Sequence, residues 1–409
     1  ELITRLTGNL RIRSLGERGR THFNRLLPQL IHAAARTPEP EITLSRLVDV
    51  MLTVAPRSTY LALLQERPLA LSQLVQLCAA SPMIAQHIRF YPLVIDELLD
   101  PRTLYAPLRK EALSAELELR LQAVDEGDLE QEMETLRREK QTNVLRIAAA
   151  DVAGALPLMI VSDHLSDIAE VCVERALKIT WRDLVARHGP PRYVSNNQQH
   201  AAGFAVIGYG KLGGIELGYG SDLDLVYIHG SRGQQQLTAG PREVDNQLFF
   251  ARLAQRLGHV ISTHTPAGVL YELDIRLRPN GAKGLPVVSM DGFALYQREE
   301  AWTWEHQALV RARFICGDPA LKYEFEAIRA EILLRKRDGE ALREEVRQMR
   351  ERMRNHLGSK QTARFDLKQD RGGIADIEFI VQYLVLKNAT VLGNYLIYTD
   401  NIRLLDGIA

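Results

Sequence analysis

Two aspartates one residue apart, Asp222 and Asp224, stand just downstream of the glycine pair Gly213-Gly214. Side chains alternate across a strand, so a strand opening here puts both carboxylates on one face and Leu223, Leu225 and Tyr227 on the other. Two carboxylates facing the same way repel one another unless a cation lies between them or one takes a proton. Magnesium, a hard oxygen-seeking ion, is the natural resident, with manganese as the alternative. The run Tyr271-Glu-Leu-Asp-Ile-Arg-Leu-Arg278 repeats the pattern, with Glu272, Asp274, Arg276 and Arg278 on one face and Leu273, Ile275 and Leu277 on the core face. A third acid with two arginines suits phosphoryl or nucleotidyl transfer: acids hold two metals, one acid takes the proton of the attacking hydroxyl, and arginines bind phosphate oxygens bidentately. Asp222, Asp224 and Asp274 are therefore the expected catalytic and metal-binding residues. Gly213, Gly214, Ser221, Lys211, Arg276, Arg278 and Lys283 are the expected nucleotide contacts, Lys283 from a loop just past the third acid.

Gly208-Tyr-Gly210-Lys-Leu-Gly213 also matches the dinucleotide fingerprint, which alone is weak. That fold needs a crossover helix and a second strand before its ribose-binding acid, roughly twenty residues on. Here Asp222 and Asp224 come only nine and eleven residues after Gly213 and open the next strand instead of closing it. The spacing suits a glycine turn whose backbone N–H groups approach nucleotide phosphates, followed by carboxylates that hold the metal. A glycosyltransferase with an Asp-x-Asp pair is the rival enzyme class, and the glycine pair directly upstream speaks against it.

The elements that must position these residues are read from periodicity. From Leu2 to about Ile160 apolar residues recur at helical spacing, as in Leu71, Leu74, Val75 and Cys78, with prolines at 56, 82, 92, 101 and 107 as stops between helices. The charge-dense stretch Asp125–Lys140 reads as a solvated helix face. A helix from Ser162 towards Val185 ends at Gly189-Pro190-Pro191, and the polar segment Ser195–His200 reads as a loop beside a domain boundary. Phe204–Ile207, Leu223–Ile228 and Val269–Arg278 read as strands, with a helix over Asn246–Ser262 between the last two. From Asp291 onward the pattern returns to helix, including Ala341–Leu357 and Gly373–Lys387. Trp302, Trp304 and His306 read as core packing, with stacking on adenine the alternative, and Arg311 and Arg313 read equally as anion binders or as ion-pair partners. The expected fold class is α+β, mostly helical, in four segments: 1–110, 111–198, 199–335 and 336–409.

At 409 residues the chain exceeds what one core usually holds. Acidic and basic residues balance at 51 each, which removes the global attraction to phosphate backbones expected of a nucleic-acid binder. No stretch approaches about eighteen uninterrupted apolar residues, so no membrane partner is expected. Three scattered cysteines, Cys78, Cys172 and Cys316, fit neither a disulfide framework nor a zinc site and point to a reducing, cytoplasmic setting. The chain opens at Glu1 without an initiator Met or signal peptide and closes just after a helical run, so a fragment of a longer protein is expected.

The stretch Gly208-Tyr-Gly-Lys-Leu-Gly-Gly-Ile-Glu-Leu-Gly-Tyr-Gly-Ser-Asp-Leu-Asp-Leu resembles the signature of bacterial glutamine synthetase adenylyltransferases. Leu77-Cys-Ala-Ala-Ser-Pro-Met-Ile, Leu145-Arg-Ile-Ala-Ala-Ala-Asp, the run Glu300–Arg313 and Gly372-Gly-Ile-Ala-Asp-Ile-Glu-Phe are similar to that family too. The resemblance implies two polymerase-β-type nucleotidyltransferase halves joined by a helical regulatory region, one half adenylylating and the other removing AMP with phosphate. The Gly-Tyr-Gly-Lys turn and the preceding helices look more like the C-terminal, adenylylating half, which moves AMP from ATP to a tyrosine of glutamine synthetase. By this likeness Asp222 and Asp224 are the metal pair and Asp274 the third acid. The PII signalling protein and glutamine are the implied regulators. The removing half and a purely regulatory helical module that binds PII are the alternatives.

Overall fold

A computed structural model describes residues 1–357 and 365–408; positions 358–364 and 409 of the expected C-terminal helical segment lie outside the described residues. Two compact units are present, Glu1–Ile168 with His264–Leu270, and Ala169–Thr263 with Tyr271–Ala409. Among the described residues no helix is long and apolar enough to cross a membrane.

The first unit is helical. Its helices Pro40–Val54, Pro68–Ala80 and Pro82–Phe90 each begin on a proline, so Pro82, read as a stop between helices, also starts one. A fixed φ near the helical value suits the first position, where no amide hydrogen bond is lost. Leu47, Val48, Met51, Leu71, Leu74, Val75 and Cys78 are all buried, as their spacing predicts.

The helix Leu129–Val152 corrects the solvated-face reading, because Glu132, Glu134 and Arg137 within it are buried. Arg137 donates to the carbonyls of Gly268 and Met133, both at 2.9 Å, and Lys140 donates to the Leu270 carbonyl at 2.6 Å. The Ala267 N–H donates to Glu134 at 3.3 Å. These charges lie inside because the polar backbone of residues 264–270 needs partners, and long side chains supply them.

Among the described residues the second unit holds eight strands: β1 (Pro191–Ser195), β2 (Gln198–Ala201), β3 (Phe204–Gly208), β4 (Leu223–His229), β5 (Gln234–Thr238), β6 (Leu273–Asp274), β7 (Val288–Ser289) and β8 (Arg313–Gly317). One sheet runs β6-β4-β3-β8, with β7 also pairing β4, and a smaller sheet runs β2-β1-β5. β3 is antiparallel to β4 and β8, whereas β6 and β7 lie parallel to opposite ends of β4. The result is a mixed sheet whose central strands are buried except at Asp224, which is partly exposed.

Three expectations change here. The polar segment expected as a loop at 195–200 is the hairpin β1–β2, because Asn196 (φ 50°) and Asn197 (φ 59°) supply the two left-handed positions of a tight primed turn. The third strand is cut to Leu273–Asp274, so face alternation does not extend to Arg278. Arg313–Gly317, expected as helix, is the edge strand β8. The helix Asn246–Ser262 stands where periodicity puts it, with Phe249, Leu253, Leu257 and Val260 buried. On the main sheet, Ile207, Val226 and Ile228 pack in one core with Phe293, Leu309, Phe325 and Val385.

Candidate active site

The acidic residues are brought together by strand register. Leu223 pairs with Leu273 and Asp224 with Asp274 across the parallel β4–β6 ladder, so the two aspartates sit level on neighbouring strands and face the same way. Asp222 lies one residue before β4, exposed at its mouth, while Asp224 is partly buried. Burial above all, then the charges of Asp222 and Asp274, push the Asp224 carboxyl up to about 6, against an opposing pull from Lys368 and Arg276. Asp274 moves the other way. The Arg276 guanidinium hydrogen-bonds both its oxygens, with Nε at 3.0 and 2.8 Å and Nη2 also donating to Oδ2, and the Arg276 backbone N–H adds a fourth bond at 2.8 Å, so Asp274 is held below its usual value.

The glycine turn has a different job from the one its spacing suggests. The N–H groups of Gly213 and Gly214 donate to the carbonyls of Tyr209 and Gly210 at 2.9 and 3.0 Å, closing the short helix Gly210–Gly213. They are spent on the fold and do not point to a ligand. A side chain on Gly213 would lie 1.9 Å from the Arg311 carbonyl oxygen, so this glycine lets two backbones touch. Gly210 bears on the chemistry itself. Its φ is +55°, and a Cβ there would stand 2.1 Å from Oδ2 of Asp224, so only glycine leaves that carboxylate room.

The other expected contacts are placed as follows. Ser221 accepts the Gly218 N–H at 3.0 Å and braces the loop entering β4. Lys211 occupies the second position of the short helix, and Lys283 is exposed at the end of the turn Gly281–Lys283. Arg276 joins the acidic cluster through Asp274. Arg278 adds its positive charge beside Asp274 as well, while it donates to the carbonyls of Gly284 and Ile275 at 3.2 and 2.5 Å and shapes the loop after β6. Trp302 is 69% exposed at the head of the helix Thr303–Val310, which corrects its core reading.

Two residues were missed. Glu216 lies beneath the turn, bonded to Arg311 at 2.6 Å and to Asn401 through both its N–H and its amide at 2.8 and 3.0 Å. Arg311, 3% exposed, also pairs with Glu378 at 2.7 Å, while Arg313 pairs with Glu170 as its ion-pair reading expects. Lys368, from a segment far along the chain, adds positive charge near Asp224. Its signal was the cluster Asp366-Leu-Lys-Gln-Asp370 just before the glycine pair at 372 and 373, in which Asp366 accepts the N–H groups of Lys368 and Gln369.

Among the described residues no group of three His, Cys, Asp or Glu side chains converges as a complete cation site. What converges is an acidic pair with its third member held by Arg276. The donor set suits a hard divalent cation: two carboxylates on one face, one of them proton-hungry through burial and like charge, in space kept open by Gly210.

The family model described as glutamate-ammonia ligase adenylyltransferase matches residues 71–328. The chain is 55% identical over 394 residues to a bifunctional glutamine synthetase adenylyltransferase/adenylyl-removing enzyme of Thioalkalivibrio sulfidiphilus, covering 96% of this chain and 41% of that protein. It is 54% identical over 398 residues to the enzyme of that name from Nitrosococcus oceani, covering 97% of this chain and again 41% of the relative. The chain thus spans about two fifths of the length of the curated relatives it matches. With its mostly helical α+β architecture of the polymerase-β nucleotidyltransferase type, the chain belongs to the glutamate-ammonia ligase adenylyltransferase family.

Proposed function

We propose that the chain transfers AMP from ATP to a tyrosine hydroxyl of glutamine synthetase and releases pyrophosphate. The observation that carries this reading is the level register of Asp224 and Asp274 with Asp222 at the strand mouth. In this reading Asp222 and Asp224 hold magnesium, and Asp274 joins them. A divalent cation there supplies charge neutralisation at the phosphate being transferred. The chain's own residues do the rest. Arg276, bonded to Asp274 at rest and 78% exposed, swings to a phosphate oxygen when the nucleotide arrives. That exchange releases the Asp274 carboxylate beside the reacting centre, where it takes the proton of the attacking hydroxyl. Lys211, Lys283 and Lys368 add positive charge for the triphosphate. PII and glutamine are the regulators, and the cytoplasm is the place of action.

The adenylylating assignment rests on the Gly-Tyr-Gly-Lys form of the turn. Incubating the chain with unmodified glutamine synthetase and ATP, and separately with adenylylated glutamine synthetase and phosphate, separates the two halves. AMP incorporation in the first mixture is expected; release of ADP in the second alone would reassign the chain to the removing half.

Gly210→Ala offers a sharper local test. The added methyl meets Asp224 and demands a left-handed backbone, which costs about 1–2 kcal/mol. Calorimetry should show magnesium-dependent ATP affinity reduced at least tenfold, with the circular dichroism spectrum retained. Unchanged affinity would mean that Gly210 does not keep the carboxylate clear.

A further inference from the structure

A cavity of about 470 Å³ in the second unit is lined by Arg187, His188, Arg242, Arg252, Gln255 and Arg256, with no acidic side chain among its lining residues. The four guanidiniums come from three places: the end of the helix Leu158–His188, the segment after β5, and the helix Asn246–Ser262, where Arg252 and Arg256 are one turn apart on one face.

The frame that holds them is tight. Gly189 has φ +77°, and a Cβ on it would lie 2.2 Å from the Ala239 carbonyl oxygen; one on Gly240 would lie 2.5 Å from the Gly189 nitrogen. Glycine at both positions lets the two backbones touch, and the Ala239 N–H donates to the Pro190 carbonyl at 2.9 Å. His188, 5% exposed, ties the arginines to this frame. Its Nδ1 donates to the Arg242 carbonyl at 2.8 Å, and its Nε2 accepts from Arg252 Nη1 at 3.2 Å, the only roles a carbonyl and a guanidinium allow. A buried ring thus fixes the loop that carries one arginine and aims a second.

Four like charges gathered in a concavity repel. The carbonyls at the helix end offset about half a unit charge, far less than four. An anion resolves the arrangement, and guanidinium forks match phosphate oxygens bidentately. The volume lies within the roughly 300–1,000 Å³ range of small-molecule sites and exceeds the need of a single phosphate. We propose that this cavity is a second ligand site, sharing no residue with the acidic trio, that binds a polyphosphate group carried by a small molecule. Inorganic polyphosphate and a nucleoside polyphosphate share that chemistry.

The test is calorimetric titration of the 409-residue protein with sodium tripolyphosphate in EDTA. Without divalent cations the carboxylates of Asp222, Asp224 and Asp274 repel the probe, so the heat reports the arginine cavity. One binding event is expected, weakened at least tenfold by Arg187→Ala with Arg256→Ala, weakened also by added salt, and retained in Asp224→Asn. Arg187 is exposed, so Arg187→Glu alone serves as a variant that keeps the fold. ATP binding more tightly than tripolyphosphate under these conditions assigns a nucleoside polyphosphate; equal binding assigns the phosphate chain. No binding at millimolar tripolyphosphate, equal affinity in the folded variants, or binding of polyglutamate in place of tripolyphosphate would overturn the proposal.

Discussion

Replacing Asp224 with Asn is expected to abolish AMP transfer while making the cation-free protein more stable. The carboxyl of Asp224 is raised from 3.8 to about 6 by burial and by Asp222 and Asp274. A folded-state value above the unfolded one means that ionising this group opposes folding. Below about pH 4 the group is protonated in both states and the opposition vanishes. Between about 4 and 6 it grows, and at neutral pH it is complete, so this residue's contribution falls as pH rises through that window. At about 1.4 kcal/mol per pKa unit the full effect is about 3 kcal/mol, and water reaching the partly exposed side chain reduces it to roughly 1–3. Asn carries no charge and escapes it. Denaturation at neutral pH in EDTA should therefore show Asp224→Asn more stable than the parent, with the difference shrinking toward pH 4. Magnesium should restore the parent and leave the variant unchanged. A variant less stable in EDTA would show that the carboxylate is satisfied without a cation.

The second large effect is at Arg311. Its guanidinium is 3% exposed and bridges Glu216 and Glu378 at 2.6 and 2.7 Å, beneath the glycine turn. Arg311→Ala leaves two acids facing a space without their cation, and breaking such a buried pair costs about 3–5 kcal/mol. The damage should reach the turn, because Gly214 packs on this guanidinium and Gly213 on the Arg311 carbonyl. Combining Arg311→Met with Glu216→Gln and Glu378→Gln should recover much of the loss, since it removes the uncompensated charges together. Urea titrations of the single and triple variants read this directly. A loss under about 1 kcal/mol for Arg311→Ala would place the network among weak surface pairs.

What the sequence showed and what it hid have physical causes. Phe204–Ile207 and Leu223–Ile228 were legible because both are short, strongly apolar stretches in the middle of a sheet, the second broken only by Asp224. Asp224 and Asp274 were legible because residue type and period mark a shared face. β1, β2 and β5 were hidden because their sheet is half exposed and rich in Gln, so it lacks apolar alternation. β8 was hidden within a run of helical spacing, and only its pairing with β3 marks it. Arg278 lies beyond the end of the strand, where alternation no longer holds, yet its charge still reaches Asp274. Glu216 and Lys368 act through partners far along the chain, which no local pattern encodes. The role of Gly210 needed coordinates as well, for its reason is an oxygen atom fourteen residues on.

The most direct measurement uses the 409-residue chain, unmodified glutamine synthetase, magnesium and ATP labelled at the α-phosphate. Label is expected on a tyrosine of glutamine synthetase, with pyrophosphate released in equal amount. Asp222→Asn, whose exposed position leaves the fold intact, should lower that incorporation about 10³-fold or more, the scale at which losing a key electrostatic contact acts. Incorporation by Asp222→Asn at the parent rate would contradict the account, as would absence of label on glutamine synthetase from a folded parent chain that binds ATP with magnesium.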